Sequence, residues 1–214
     1  MNMLDIGVGG GRTTRYFAPL VKSYMGIDYS EGMVALCKSK FKHYKFQYAD
    51  AKDLPFETNS FDFVLFSFNG IDGATHDDRL KILEEINRVT KPRGYFCFST
   101  HNLNSLRWYI SYHTSLNPKE TANEIVRILR MRYYNRGQWR FLRSLPDLKF
   151  VCFKNGAHDF SYVNYFVSPL SQIDHLEKAG FSCIQIYGLA DGGEIKLSEL
   201  PSAQDFYLYY LCRK

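Results

Sequence analysis

Apolar residues fall in short runs separated by stretches of helical spacing, an alternation that predicts a layered α/β domain. The runs "NMLDI", "SYMGIDY", "YKFQYAD", "FDFVLFSF" and "GYFCFST" read as five successive strands. The fourth is apolar almost throughout, as a central parallel strand covered on both faces must be. Between the strands, "TTRYFAPLVK" is expected to continue as a helix despite Pro19, and Ser30 is placed to cap a helix carrying Met33, Val34 and Leu36. From Asp77 to Thr90, Ile82, Ile86 and Val89 share one helical face, with acids at the start and Pro92 and Gly94 beyond the end.

After the fifth strand the alternation breaks. Residues 102–150 are rich in Arg, Tyr and Asn, hold the helical stretch "TANEIVRILRMRYY", and read as a helical lid inserted into a single domain spanning 1–214. The α/β pattern resumes with "SPLSQIDHLEKAGF", where Ser168 is a natural N-cap, Pro169 suits the first helical position and Gly180 ends the helix. Only a loop separates "SCIQIYGL" from "DFYLYYLCR", so these last two strands are expected to pair antiparallel.

Composition adds bounds to this picture. A chain of 214 residues, 45% hydrophobic, can bury a full core. A net charge of +5 is far from that of an obligate nucleic-acid binder and leaves acidic small molecules open. No apolar run approaches the roughly twenty residues of a membrane span, so no membrane association is expected. Five cysteines are scattered without a CxxC pair, which suits a reducing, cytoplasmic setting.

The candidate chemistry begins at "LDIGVGGGRTT". A strand, a glycine-rich turn and a helix make a nucleotide-binding loop, where backbone approaches a ligand more closely than a Cβ allows. Gly7, Gly9 and Gly11 give GxGxG, whereas a dinucleotide fingerprint would put its third glycine at Arg12, so a nicotinamide cofactor fits poorly. Asp28 ends the second strand, where an acid can accept both ribose hydroxyls, and Asp50 ends the third, where a carboxylate can receive an adenine amino group. An adenosine without a pyrophosphate suits all of these positions.

In order and interval, "LDIGVGGGRTT", "GIDYS", "ADAKDLPF", "FDFVLFSFNGID" and "RVTKPRGYFCFST" resemble the class I S-adenosylmethionine-dependent methyltransferases. The resemblance implies a Rossmann-like seven-stranded sheet with helices on both faces, strand order 3-2-1-4-5-7-6 and the last strand antiparallel. It implies S-adenosyl-L-methionine as cofactor and S-adenosyl-L-homocysteine as product. Asp5 and the loop of Gly7, Gly9 and Gly11 would hold the methionine part, Asp28 the ribose, and Asp50 with the backbone of Ala51 the adenine. Ser67 and Phe68 match positions beside the sulfonium. Family members usually carry a helical segment ahead of the first strand that lies over cofactor and substrate; here either the sequence begins after such a segment or the insertion supplies the cover.

Methyl transfer needs alignment and exclusion of water, and an alcohol or phenol acceptor also benefits from a base. His101, directly after the fifth strand, is the first candidate base, with a hydrogen-bonded loop histidine as the plain alternative. Asn69 could position an acceptor. Asp72 could be a base, but reads more readily as the start of a loop and a helix cap. The arginines at 127, 130, 132, 136, 140 and 143 could grip an acidic group, although a solvated helical face is the simpler reading, and Tyr162 and Tyr165 either wall the acceptor pocket or pack at a strand edge. Glu84, Glu85 and Lys178 read as helix surface. The remaining histidines show no metal-ligand spacing, and no metal is expected.

The expected activity is methylation of an oxygen or nitrogen of a small polar metabolite, such as a sugar, a nucleotide-linked sugar or a secondary-metabolite intermediate. An RNA methyltransferase and a non-catalytic cofactor-binding scaffold are the rivals. The chain has "SFNGID" where enzymes acting on exocyclic base amines carry a D/N-P-P-Y/F element, and no cysteine follows a proline.

Overall fold

Alternate side chains of the central strands go to opposite faces, and two separate cores result. Leu4 and Ile6, Val64 and Phe66, and Phe96 and Phe98 pack into one, while Met3, Leu65 and Cys97 face the other. The computed structural model describes residues 1–214 except Thr114, Arg140, Phe141, Arg143, Ser144 and Pro146 and the side chains of Ala157 and His158. The sheet is parallel through β1 (Asn2–Ile6), β2 (Ser23–Asp28), β3 (Lys45–Tyr48), β4 (Phe61–Phe66) and β5 (Thr90–Asn102), in the order β3-β2-β1-β4-β5.

Beyond β5 the sheet forks. Its Tyr95–His101 stretch pairs antiparallel with β9 (Tyr207–Arg213), which pairs antiparallel with β8 (Ser182–Gly188). These two are the closing pair expected, so the seven-stranded path runs as predicted, with its last strand reversed. Two further strands were not foreseen. β6 (Phe150–Phe153) and β7 (Asn164–Val167) form an antiparallel hairpin, and β7 pairs with β5 at His101 and Asn102. Because His101 already pairs with Tyr207 on one edge, β7 takes the other edge, the one β4 relinquishes after Phe66.

The helices follow local chemistry. α1 (Thr14–Phe17) is one turn long and gives way to a 3-10 turn at Ala18–Leu20, correcting the expected continuous helix. Pro19 has no N–H to donate and its ring clashes with the preceding turn. Ser30 caps α2 (Glu31–Lys40) as expected, accepting the Met33 N–H at 3.4 Å, but the helix buries Val34 and Cys37 and leaves Met33 and Leu36 exposed. α3 (His76–Val89) is capped by Thr75 rather than by Asp72. Its buried stripe, Ile82, Leu83, Ile86 and Val89, sinks into the first core, each side chain contributing about 1.5–3 kcal/mol.

Within the insertion lie α4 (Leu106–Ile110) and α5 (Pro118–Tyr134), and after β7 comes α6 (Pro169–Lys178), opened by Ser168 and closed before Gly180, as predicted. Leu103, Leu106, Met131, Val151, Phe153 and Phe166 make a third core beneath the insertion. Among the described residues no helix is long and apolar enough to cross a membrane, and all five cysteines are free thiols.

Candidate active site

The loop after β1 needs its glycines. Gly9 sits at φ +50° with open space around the missing Cβ, and Gly11 sits at φ +80°, where a Cβ would run into the Phe41 ring. Asp28, at the end of β2, is buried and fixed by two backbone donors, Gly9 N–H to Oδ2 and Ser30 N–H to Oδ1, both at 2.9 Å. Each carboxylate oxygen keeps a second lone pair for a ligand hydroxyl. Asp50 is exposed after β3, its Oδ1 accepting the Lys52 N–H, and Ala51 beside it is half-buried.

Asp5 is fully buried. Its Oδ2 accepts hydroxyls from Thr13 and Tyr24 at 2.6 Å, while Oδ1 has no partner. Burial pushes its carboxyl up to about 6, against the lowering effect of those two hydrogen bonds. After β4, Ser67 is half-buried, and Phe68 and Asn69 both take left-handed backbone at φ 53° and 55°. Phe68 is exposed with the Arg12 guanidinium 3.2 Å from its ring centroid. Asn69 donates its N–H to Ser99 Oγ at 3.0 Å, and its side-chain oxygen is buried without a partner.

These are the features an adenosyl amino-acid cofactor would use. Two buried oxygens lacking donors, at Asp5 and Asn69, suit an ammonium group, the space at Gly9 admits a ligand against backbone, and the carboxylates of Asp28 and Asp50 stand at the ends of β2 and β3. Residues 4–98 match the family model described as a methyltransferase domain. That stretch, from β1 into β5, is therefore similar to methyltransferase domains.

Other likenesses agree. An uncharacterised protein of Methanocaldococcus jannaschii is 26% identical over 87% of this chain and 63% of its own length. The demethylmenaquinone methyltransferase of Staphylococcus aureus strain MRSA252 is 40% identical over 44% of this chain and 40% of its own length. This chain therefore spans under two thirds of each of these relatives. In fold it is similar to an S-adenosylmethionine-dependent methyltransferase from Mesorhizobium loti, with a TM-score of 0.68 and 15% identity over the whole of this chain and 90% of the other. A methyltransferase from Methanosarcina mazei scores 0.64 at 16% identity, with 100% and 92% covered.

A second cluster lies where the turn after β4 meets the end of β5. Asp72 is not a helix cap. It lies fully buried in the 3-10 turn Gly70–Gly73 and faces the end of β5. Its Oδ2 accepts both the backbone N–H and the ring Nδ1 of His101 at 2.7 Å, and its Oδ1 accepts Thr100 Oγ1 and the Arg79 guanidinium at 2.6 Å. A carboxylate only accepts, so the shared proton sits on Nδ1 and the ring is held with Nε2 turned away from Asp72. The imidazole is 5% exposed, between the rings of Phe166 and Tyr207 at 4.7 and 4.8 Å.

Arg79 and Gln172 escaped the sequence reading. Both are fully buried, Arg79 donating at 2.9 Å to Thr100 Oγ1 and at 2.7 Å to Gln172 Oε1. The signal was present: Arg79 falls on the stripe of Ile82, Leu83 and Ile86, and Gln172 on that of Pro169 and Leu176, so each is a polar residue on an apolar face. Glu85 is likewise more than surface, since it accepts the Leu54 N–H and pairs with Arg88. Glu84 is exposed, and Lys178 is exposed beside Asp174.

The loop between β6 and β7 reaches this site at Tyr162, whose hydroxyl would clash with a Cβ on Gly73. Its phenol is held up by burial, then by the nearness of Tyr29 and Asp72. Tyr165 is buried in β7 and shares a 2.7 Å hydrogen bond with His76 Nδ1. The arginines read as structure. Arg127 pairs with Glu124 and binds the Tyr109 and Ser111 carbonyls, Arg130 pairs with Asp159, and Arg132 and Arg136 lie over Trp139 and Tyr133. Arg140 and Arg143 lie outside the described residues. No group of three or more potential metal ligands occurs among the described residues.

Proposed function

We propose that this chain transfers a methyl group to an oxygen or nitrogen of a small polar metabolite, with His101 as the base that takes the acceptor's proton. The Asp72–His101 pair carries this reading: a buried carboxylate fixes Nδ1–H and leaves Nε2 to receive a proton, at the carboxyl end of the strand beside β4. Bound S-adenosylmethionine supplies an electrophilic methyl on a sulfonium, and the electron pair of the broken C–S bond stays with sulfur in the neutral thioether product. Asp5 and Asn69 would hold its ammonium group, Asp28 its ribose, Asp50 and the Ala51 backbone its adenine, and Gly7, Gly9, Gly11, Ser67 and Phe68 would shape the cradle.

Phe166, Tyr207 and Tyr162 limit water around His101, and the insertion over residues 102–150, together with the β6–β7 hairpin, serves as the acceptor-side cover. Five free thiols fit a cytoplasmic setting.

Calorimetric titration with S-adenosylmethionine and S-adenosylhomocysteine tests the cofactor half: Asp28→Ala should weaken binding roughly ten- to hundredfold by removing a charged hydrogen-bond acceptor. Labelled-methyl turnover tests the acceptor half on a panel of sugars, nucleotide-linked sugars, small phenols and a demethylated naphthoquinol, the last because of the menaquinone relatives. His101→Gln should lower turnover by about 10²–10⁴ while cofactor binding stays unchanged. Turnover confined to the naphthoquinol would overturn the polar-metabolite reading, and full activity of His101→Gln would remove the base.

A further inference from the structure

Arg79 is the largest fully buried side chain among the described residues, and it sits on α3 beside the apolar stripe of Ile82, Leu83 and Ile86. A buried guanidinium is costly to desolvate unless its charge is matched and its donors are used. Here Asp72 matches the charge, and Thr100 and Gln172 take the other terminal nitrogen, so elements far apart in sequence, the turn after β4, the end of β5 and α6, are drawn to one cation. The same carboxylate holds His101. Asp72 thus has two claimants, one a permanent cation and the other an imidazole whose charge depends on its proton.

We propose that Arg79 is a positioning residue that matches the Asp72 charge and so keeps the His101 imidazole neutral, with its proton on Nδ1 and Nε2 ready to accept. Were Arg79 absent, protonated His101 would be the one cation hydrogen-bonded to buried Asp72 among the described residues, and the pair would hold that proton instead of offering a base. With Arg79 in place, a second positive charge on His101 would have only half a counter-ion.

The surroundings leave this balance to those three groups. On β7 and β9, burial raises the Tyr165 and Tyr210 phenols, and the loop residue Tyr162 is raised too. On β6, burial raises the Cys152 thiol. On α6, burial first and then the charges of His76 and Arg79 press His175 down to about 4. Tyr207 lies edge-on to the His101 ring, and Tyr109 of α4, held up to about 12 by burial and by Tyr207, stands behind it. The phenols of Tyr162, Tyr165, Tyr210 and Tyr109, the Cys152 thiol and the His175 imidazole are thereby held neutral near pH 7, and Asp72, which holds the His101 ring, is itself paired with Arg79.

This inference rests on His101 being the base, but its test needs no turnover. Nitrogen-15 NMR of histidine-labelled protein, with His101 assigned by His101→Gln, reads the ring directly. In the wild type at pH 7 the neutral Nδ1–H form is expected. In Arg79→Gln the His101 ring should hold its proton to a higher pH, at about tenfold or lower proton concentration, because the neighbouring cation is gone. Arg79→Lys, which keeps the charge, should stay near the wild type. A folded Arg79→Gln whose His101 titrates like the wild type would overturn the proposal. So would a wild-type ring that is doubly protonated, or protonated on Nε2, at pH 7, a result that decides the matter even where Arg79→Gln fails to fold. The expected NMR behaviour without methyl transfer to any acceptor would count against the proposed function and leave the role of Arg79 toward the imidazole standing.

Discussion

The cofactor half and the insertion are tied together in different ways. From β1 to β4 the chain is joined by parallel ladders, residue against residue, with two apolar cores on either face. The insertion is instead held by side chains that reach for backbone. Arg127 binds the carbonyls of Tyr109 and Ser111, and Asn135 binds those of Met131 and Lys154 and accepts the Lys154 N–H. At its root, Asn102 takes the carbonyls of Ala203 and Asp205, and Asn104 those of Leu200 and Pro201. A ladder survives most single substitutions because each side chain is dispensable to it, whereas a clamp of this kind is lost with one residue.

The sharpest test of that contrast is Asp72, where the two halves meet. Asp72→Asn leaves buried Arg79 without a counter-charge, and a loss of about 3–5 kcal/mol in denaturant unfolding is expected, together with loss of turnover. Next comes the insertion's own core. Met131→Ala, at a fully buried position, should cost about 2–5 kcal/mol locally. Hydrogen exchange should then quicken over residues 103–167 while S-adenosylmethionine binding by the sheet half is retained; equal loss of protection in β1 and β4 would mean that the two regions unfold as one.

Asp5 tests the cofactor half by pH. Its folded carboxyl is raised to about 6 from an ordinary 3.8. The native state therefore binds the extra proton between those values, and stability falls as pH rises through that window, by about 2–3 kcal/mol in total. Asp5→Asn should flatten that slope. Cofactor affinity should rise over the same window, because an ammonium group favours the ionised carboxylate. The smallest effect belongs to the exposed Arg130–Asp159 pair: Arg130→Ala should leave the denaturant unfolding midpoint unmoved, because solvent screens the pair.

Legibility in the sequence followed the same division. Strands of the sheet announce themselves by apolar runs, and the glycines and acids proposed to hold the cofactor lie near strand ends, so local spacing singles them out. The β6–β7 hairpin gave no such signal: "FVCF" and "NYFV" are four residues each, too short for periodicity to separate strand from loop. Asp72 was misread as a cap because the sequence shows only what is near it along the chain. Its partners come from residues 79, 100 and 101, and the one that explains its burial, Arg79, is in turn explained by Gln172, 93 residues further on. Charges on apolar stripes can be noticed in a sequence, but the closing of their circuit is a tertiary event.

The fork in the sheet bears on descent. β7 is grafted onto β5 at only His101 and Asn102, and the third core beneath it is built from residues that do not enter the other two. A joint that narrow lets the cover be lengthened, shortened or exchanged without disturbing the register of the strands that cradle the cofactor. Changes confined to what hangs from the fork leave the ladders of β1 to β4 as they are, and the contact of His101 with Asp72 ties the two together at the joint itself.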